Sequence, residues 1–330
     1  MSTDKRKKRR EQKKKRKVAV IVVIVAIALI GGIFVLRKTL PPVGQPGDGP
    51  VSSGQPGREP PVAGQPEPGA EPGAEPGAEP GQQPGAGQQP GAEQEPGAGP
   101  GPATDKPSYF DAALSGRYEA FAAAHPEMAE DDVYWMVGCD LDMPAYENTS
   151  EVPDPESFLL LVNKHFYLPA GFAPPDLVGV NNTMMRAKPV EAINRLIADA
   201  ASEGHTLWVQ SGFRSYDLQV SLYAQYSARD GVEAADTYSA RAGYSEHQTG
   251  LTADFNTITD AFGDTPEGKW VAENCWKYGF IVRYTKENTG ITLYKPEPWH
   301  VRYIGPEAAQ AMHDGGFLSF EEYWVKNIKY

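Results

Sequence analysis

Ser245-Glu246-His247-Gln248-Thr249-Gly250-Leu251-Thr252-Ala253-Asp254-Phe255 joins a polar, glycine-containing loop to a short alternating run, and Leu251–Phe255 reads as a β-strand. Successive side chains on a strand point to opposite faces. Thr252 and Asp254 therefore share one face, and Leu251, Ala253 and Phe255 the other. Trp299–Tyr303 reads as a second strand, preceded by Glu297-Pro298, where the proline discourages a helix. Phe280–Tyr284 is a third, and Leu207–Gln210 a short fourth that runs into Ser211-Gly212-Phe213-Arg214-Ser215.

Helical patterns lie between these strands. From Pro189 the apolar residues Val190, Ile193, Leu196, Ile197 and Ala200 fall on one face, and Gly204 is a natural stop. Ser215 can cap a helix running through Gln219, Leu222 and Tyr226. Pro266 to Tyr278 reads as a further helix, ended by Gly279. There is no regular strand–helix alternation and no phosphate loop. The expected class is therefore α+β: one compact domain, residues 107–330, with a mainly antiparallel sheet and flanking helices.

The rest of the chain has a different composition. Residues 1–17 carry eleven Lys/Arg against two acids, and residues 18–36 contain no charged side chain. Nineteen apolar residues match a hydrocarbon layer about 30 Å thick at ~1.5 Å rise per residue. A cleaved signal would have a shorter apolar run and a small-residue cleavage site, whereas Arg37-Lys38 follows here. Residues 18–36 are thus expected to be a transmembrane helix. The basic tail 1–17 would stay cytoplasmic, leaving the C-terminal domain outside the cell in a single-pass topology.

Residues 37–106 form a Pro/Gly/Ala/Glu-rich linker with a short repeat, Glu67-Pro-Gly-Ala through Glu79-Pro-Gly. It buries too little apolar area to offset chain entropy, so disorder is expected. The net charge of −12 conceals the positive tail, and the exported part is strongly acidic. That excludes nucleic acid as a natural partner and suits a small or zwitterionic substrate. No protein partner is indicated. Cys139 and Cys275 both fall in the exported domain, where either a disulfide or two separate buried thiols is open.

The chemistry gathers in the two quoted stretches. A catalytic zinc takes three ligands from His and carboxylates and keeps one position open, and His247, Asp254 and His300 provide such a set. A carboxylate among apolar neighbours is costly to bury unless paired or metal-bound. Glu297, held in an extended turn by Pro298, could act as general base to the attacking water and then as general acid. Arg214, at a strand–helix junction, can hold a carboxylate or a carbonyl in bidentate geometry. Gln219 and Ser245 could add hydrogen bonds to a peptide substrate. Each motif alone also fits a plain structural residue. His125, His165, His205 and His313 carry no ligand pattern and are expected to be surface or core residues.

Taken together, Ser211–Ser215, Gln219, Ser245–Asp254, Tyr278–Tyr284 and Glu297–Gly305 closely resemble the VanY-type zinc D-alanyl-D-alanine carboxypeptidases. Leu161-Val162-Asn163-Lys164 and Leu168-Pro169 extend the likeness over most of 115–330. The resemblance implies the fold shared by zinc DD-peptidases and the Hedgehog signalling domain. It implies one Zn2+ on His247, Asp254 and His300, a catalytic Glu297, and Arg214 at the scissile carbonyl. Val137–Asp142 departs from the Asn-containing version of that segment, which leaves the shape of the nearby edge unspecified. The implied activity is removal of the terminal D-Ala from peptidoglycan stem peptides. L,D-carboxypeptidase action on tetrapeptide stems and a non-catalytic cell-wall-binding module are the alternatives.

Overall fold

The computed structural model describes residues 106–329; the readings made for residues 1–105, the 18–36 span among them, lie outside the described residues. The N-terminal part holds α1 (Ser115–Ala124), α2 (Glu130–Gly138), β1 (Ser150–Glu151), β2 (Phe166–Tyr167), β3 (Leu177–Val180) and β4 (Thr183–Arg186). Next come α3 (Ala187–Ser202), β5 (Val209–Ser211), α4 (Tyr216–Asp230), α5 (Val232–Ala235) and β6 (Thr252–Phe255). The chain ends with α6 (Pro266–Asn274), β7 (Phe280–Tyr284), α7 (Thr289–Thr292), β8 (Glu297–Tyr303), α8 (Pro306–Gly315) and α9 (Phe320–Asn327). No helix among the described residues is long and apolar enough to cross a membrane.

The central sheet has the order β5-β6-β8-β7, and every pairing in it is antiparallel. The mainly antiparallel α+β architecture is therefore borne out. β3 and β4 form a separate antiparallel hairpin, while β1 and β2 make a short parallel pair. In the β6–β8 register Asp254 lies directly opposite His300, so the strand pairing itself brings two of the expected ligands together.

Local chemistry explains the elements that matter most. α3 starts two residues before Pro189 and buries Val190, Ile193, Leu196 and Ala200, as the periodicity requires. Ser215 caps α4, its side chain accepting from Leu218 N. The helix from Pro266 is α-helical only to Asn274, then tightens to a 3₁₀ turn over Cys275–Tyr278 before Gly279. β8 begins at Glu297, earlier than the aromatic run suggested, and the register shifts opposite it between Val282 and Tyr284.

All four residues of β6 are buried, so the central sheet is covered on both faces there. Leu251, Ala253, Phe255, Val301 and Phe280 share one apolar core with Ile193 and Leu196 of α3. The face carrying Thr252 and Asp254 is buried too, with Arg302 and His300 as their cross-strand neighbours. Cys139 and Cys275 are separate buried thiols with no disulfide between them, which decides that open choice. Cys139 instead donates to the Glu321 carbonyl at 3.4 Å. Burial pushes the Cys275 thiol up to about 12, so both packing and acidity keep it inert.

Candidate metal centre

His247 lies on a buried 3₁₀ turn, Glu246–Thr249, capped by Ser245, whose hydroxyl accepts from His247 N at 3.3 Å. The turn closes at Gly250, whose φ of 65° is left-handed backbone that glycine adopts without strain. Asp254 and His300 are cross-strand partners on β6 and β8. Glu297 opens β8, opposite Tyr284. Arg214 sits between β5 and α4, and its N–H donates to the His247 carbonyl at 3.2 Å. Two chain segments far apart in sequence are thereby locked side by side.

Each histidine presents a defined ring nitrogen. His247 Nδ1 lies 2.7 Å from the Gly212 carbonyl, which leaves Nε2 facing Asp254 Oδ2 at 3.3 Å. His300 is turned the other way, with Nδ1 3.2 Å from Asp254 Oδ1 and 3.4 Å from Glu297 Oε2. The two rings are nearly perpendicular, with centroids 5.2 Å apart. Gly212 is needed for this: a Cβ there would meet the Met184 carbonyl at 2.4 Å and Met185 Cγ at 3.0 Å.

The donor set fits zinc. His247, Asp254 and His300 each offer one ligand atom, all within 4.8 Å of one another and all buried. Two ligands at about 2.0 Å in a tetrahedron stand about 3.3 Å apart. His247 Nε2 lies 3.3 Å from Asp254 Oδ2 and His300 Nδ1 3.2 Å from Oδ1, so each imidazole is at that spacing from one oxygen of the carboxylate. Asp254 Oδ1 is moreover a buried oxygen that makes no well-aligned hydrogen bond, its nearest donor being His300 Nδ1 at 3.2 Å. Such an atom needs a counter-charge. The other described histidines stay out of the site: His313 stacks on Trp276, and His165 Nδ1 lies against the Glu147 carbonyl.

Electrostatics agree with the ligand roles. Against the cost of burial, His247 and His300 hold the Asp254 carboxyl well below its usual range. Burial lowers the His247 imidazole, so it is neutral and ready to bind a metal. Burial opposes protonation of His300, but the neighbouring Asp254 and Glu246 carboxylates carry it up to about 9. A bound dication must displace that proton. Burial pushes Glu297 up to about 7, against the pull of His300.

The remaining expected residues divide. Arg214 donates from Nη1 to Gln219 Oε1 at 2.9 Å, and its charge is felt at both Glu297 and His247. Gln219 was expected to touch substrate. Both ends of its amide are already taken, because Nε2 donates to the Ala240 carbonyl at 2.6 Å. It is buried and placed to hold Arg214. Ser245 uses its oxygen to cap the His247 turn. The divergent Val137–Asp142 segment ends in Asp140 and Asp142, which are bound by Arg117.

One group was not foreseen. Glu246, Arg283, Arg302 and Glu321 form a fully buried ion network, and Glu246 Oε2 lies 3.3 Å from His300 Nε2. The available signal was an arginine inside each of two aromatic strands, Phe-Ile-Val-Arg-Tyr and Trp-His-Val-Arg-Tyr.

Comparison with known proteins decides the family. The family model "VanY: D-alanyl-D-alanine carboxypeptidase" matches residues 182–306, which contain every site residue named above except Glu321. The putative carboxypeptidase YodJ of Bacillus subtilis (strain 168) is 37% identical over 201 residues, covering 56% of this chain and 73% of the relative. This chain belongs to the VanY family of zinc D-alanyl-D-alanine carboxypeptidases. Among solved structures, the LdcB LD-carboxypeptidase aligns at 36% identity and a TM-score of 0.51, covering 55% of this chain and 91% of that one. A D,D-pentapeptidase VanY from a VanB-type resistance cassette, solved with Zn(II), aligns at 31% identity and a TM-score of 0.46, covering 52% and 99%. The zinc cofactor is thus consistent with both the donor set and the family.

Proposed function

We propose that this VanY-family chain removes the terminal D-alanine from peptidoglycan stem peptides as a zinc-dependent D,D-carboxypeptidase. The observation that carries the reading is the convergence of His247 Nε2, Asp254 and His300 Nδ1, with the Glu297 carboxylate 3.4 Å from His300 Nδ1. When bound there, zinc supplies a Lewis acid that polarises the scissile carbonyl and lowers the pKa of water to about 7.

The chain's own groups do the rest. Glu297 Oε2 takes a proton from the attacking water and returns it to the leaving amine, and a carboxyl raised by burial suits both transfers. Arg214, steadied by Gln219, directs its guanidinium at the scissile carbonyl oxygen. The terminal carboxylate of the substrate lies near Ser245. Replacing Glu297 with Gln should lower turnover by about 10²–10⁴-fold while zinc stays stoichiometric. Near-normal hydrolysis by that variant would remove Glu297 from the base role.

A second reading has its own support: the LdcB structure is named an LD-carboxypeptidase, and its fold is similar to this one over 91% of its length. Digesting pentapeptide and tetrapeptide stems with the purified chain and weighing the products separates the two. Loss of D-Ala from the pentapeptide alone supports D,D action, and loss from the tetrapeptide alone supports L,D action. The non-catalytic alternative lacks support, since no ligand and no base is missing.

The placement of the enzyme is part of the same proposal. The nineteen apolar residues 18–36, flanked by the basic tail 1–17, favour a single membrane span with the catalytic domain on the cell-wall side. Protease added to intact protoplasts should then digest the domain. A domain fully protected until lysis would refute that topology.

A further inference from the structure

The buried ions behind His300 are unused by the chemistry above, yet they touch a metal ligand. Glu246 Oε1 accepts from Arg283 Nε at 2.9 Å and from Arg302 Nη1 at 2.8 Å. Its other oxygen, Oε2, faces His300 Nε2 at 3.3 Å. Arg283 spends its two terminal nitrogens on Glu321 of α9, at 2.7 and 3.1 Å. Two carboxylates and two guanidinium groups thus balance in charge with essentially no solvent contact.

An imidazole can offer one lone pair to a metal only if its proton sits on the other nitrogen. For His300 the ligand atom is Nδ1, on the Asp254 side, so Nε2 must carry the proton and needs an acceptor. Glu246 Oε2 is that acceptor. His247 solves the same problem with the opposite nitrogens and the Gly212 carbonyl. A carboxylate so deep would be costly alone, and the two arginines make it affordable by holding it ionised.

The geometry points to Glu246 as a positioning residue for zinc: it fixes the ring orientation and tautomer of His300, and Arg283 and Arg302 fix Glu246. This rests on the zinc reading above. The competing view is purely structural, with the network serving only to tie α9 to the sheet. Glu321 separates the two, because it shares Arg283 with Glu246 but makes no contact with His300 among the bonds described.

In Glu246→Gln the single amide oxygen is claimed by the arginines, which turns the NH2 toward His300 Nε2. That donor forces the proton onto Nδ1, where the metal must bind. Glu321→Gln weakens the network at its far end and leaves the tautomer alone. The experiment measures zinc affinity of the full chain by competition with a chromophoric chelator, alongside urea unfolding. Glu246→Gln should weaken zinc by about 10–100-fold, whereas Glu321→Gln should lose stability and keep zinc affinity within about threefold of the parent.

The visible spectrum of the Co2+-substituted chain should change in Glu246→Gln and not in Glu321→Gln. Should Glu246→Gln fail to fold, Glu246→Asp keeps the charge for the arginines but withdraws the oxygen from His300, and it should weaken zinc in the same way. Unchanged zinc affinity in the folded Glu246 variant overturns the assignment, as does an equal loss in Glu321→Gln. A parent chain that takes up no zinc overturns the proposed function and this role with it.

Discussion

At the scale of single residues, the site depends on which atom of each side chain is free. Gln219 illustrates the point. Its Oε1 takes Arg214 and its Nε2 reaches the Ala240 carbonyl, so it is expected to influence catalysis through Arg214. Groups that act through one another are not additive in their effects. Gln219→Ala should therefore lower kcat/KM in the parent but cost little more once Arg214 is already Ala, with zinc content equal in all variants. Full additivity in that double-mutant cycle would instead mean that Gln219 has its own contact with substrate. Arg214 was legible because it stands at a strand–helix junction in the Ser211–Ser215 motif. The occupation of Gln219 was not, since it depends on a carbonyl twenty-one residues away.

At the scale of elements, the Ser211–Ser215 segment does two separable jobs. Gly212 lets the chain pass the Met184 carbonyl and aims its own carbonyl at His247 Nδ1, while Ser215 merely starts α4. Gly212→Ala should cost about 1–3 kcal/mol by overpacking and should also weaken zinc, because the shifted turn takes the His247 acceptor with it. Ser215→Ala should cost about 1 kcal/mol as a lost helix cap and leave zinc affinity unchanged. Urea unfolding with a zinc titration on each variant checks both. Equal zinc affinity in the two would show that the turn does not orient His247.

The elements read most clearly from the sequence were those with local signals: the apolar stripe of α3, the serine cap of α4, and the alternating run of β6. β8 was read too short because Glu297-Pro298 has no strand pattern. Its first residue is extended through pairing with Tyr284 across an irregular register, which no local propensity encodes.

At the scale of the whole domain, burial of charge is a recurrent cost that packing must offset. Lys164 is an example away from the metal. It donates to the Asp236 carbonyl and lies over the rings of Tyr294 and Tyr146, at 4.1 and 5.2 Å from their centroids. Burial lowers its pKa from 10.5 to about 8. Between those values the unfolded chain still binds the proton and the folded one has released it, so stability rises with pH in that window. Relative to Lys164→Met, the parent should therefore gain in urea midpoint as pH is raised from about 8 toward 10.5. A constant difference between the two across that range would show that Lys164 is not shifted.

The sequence by itself determined the class of fold and singled out His247, Asp254 and His300 as candidate zinc ligands, with Glu297 as the candidate base. The fold class rests on strand alternation and a helix stripe; the candidate site rests on a His/Asp/His donor set beside a glutamate, joined with motifs that resemble one family. Only the tertiary structure decided that His247 offers Nε2 and His300 Nδ1, that Cys139 and Cys275 stay apart, and that Gln219 serves Arg214. It also brought Glu246, Arg283, Arg302 and Glu321 into one buried network behind the metal. The physical reason is common to all four. Hydrogen bonds and ion pairs between residues tens of positions apart leave no periodic trace along the chain, and they exist only once the strands of the sheet have set their register.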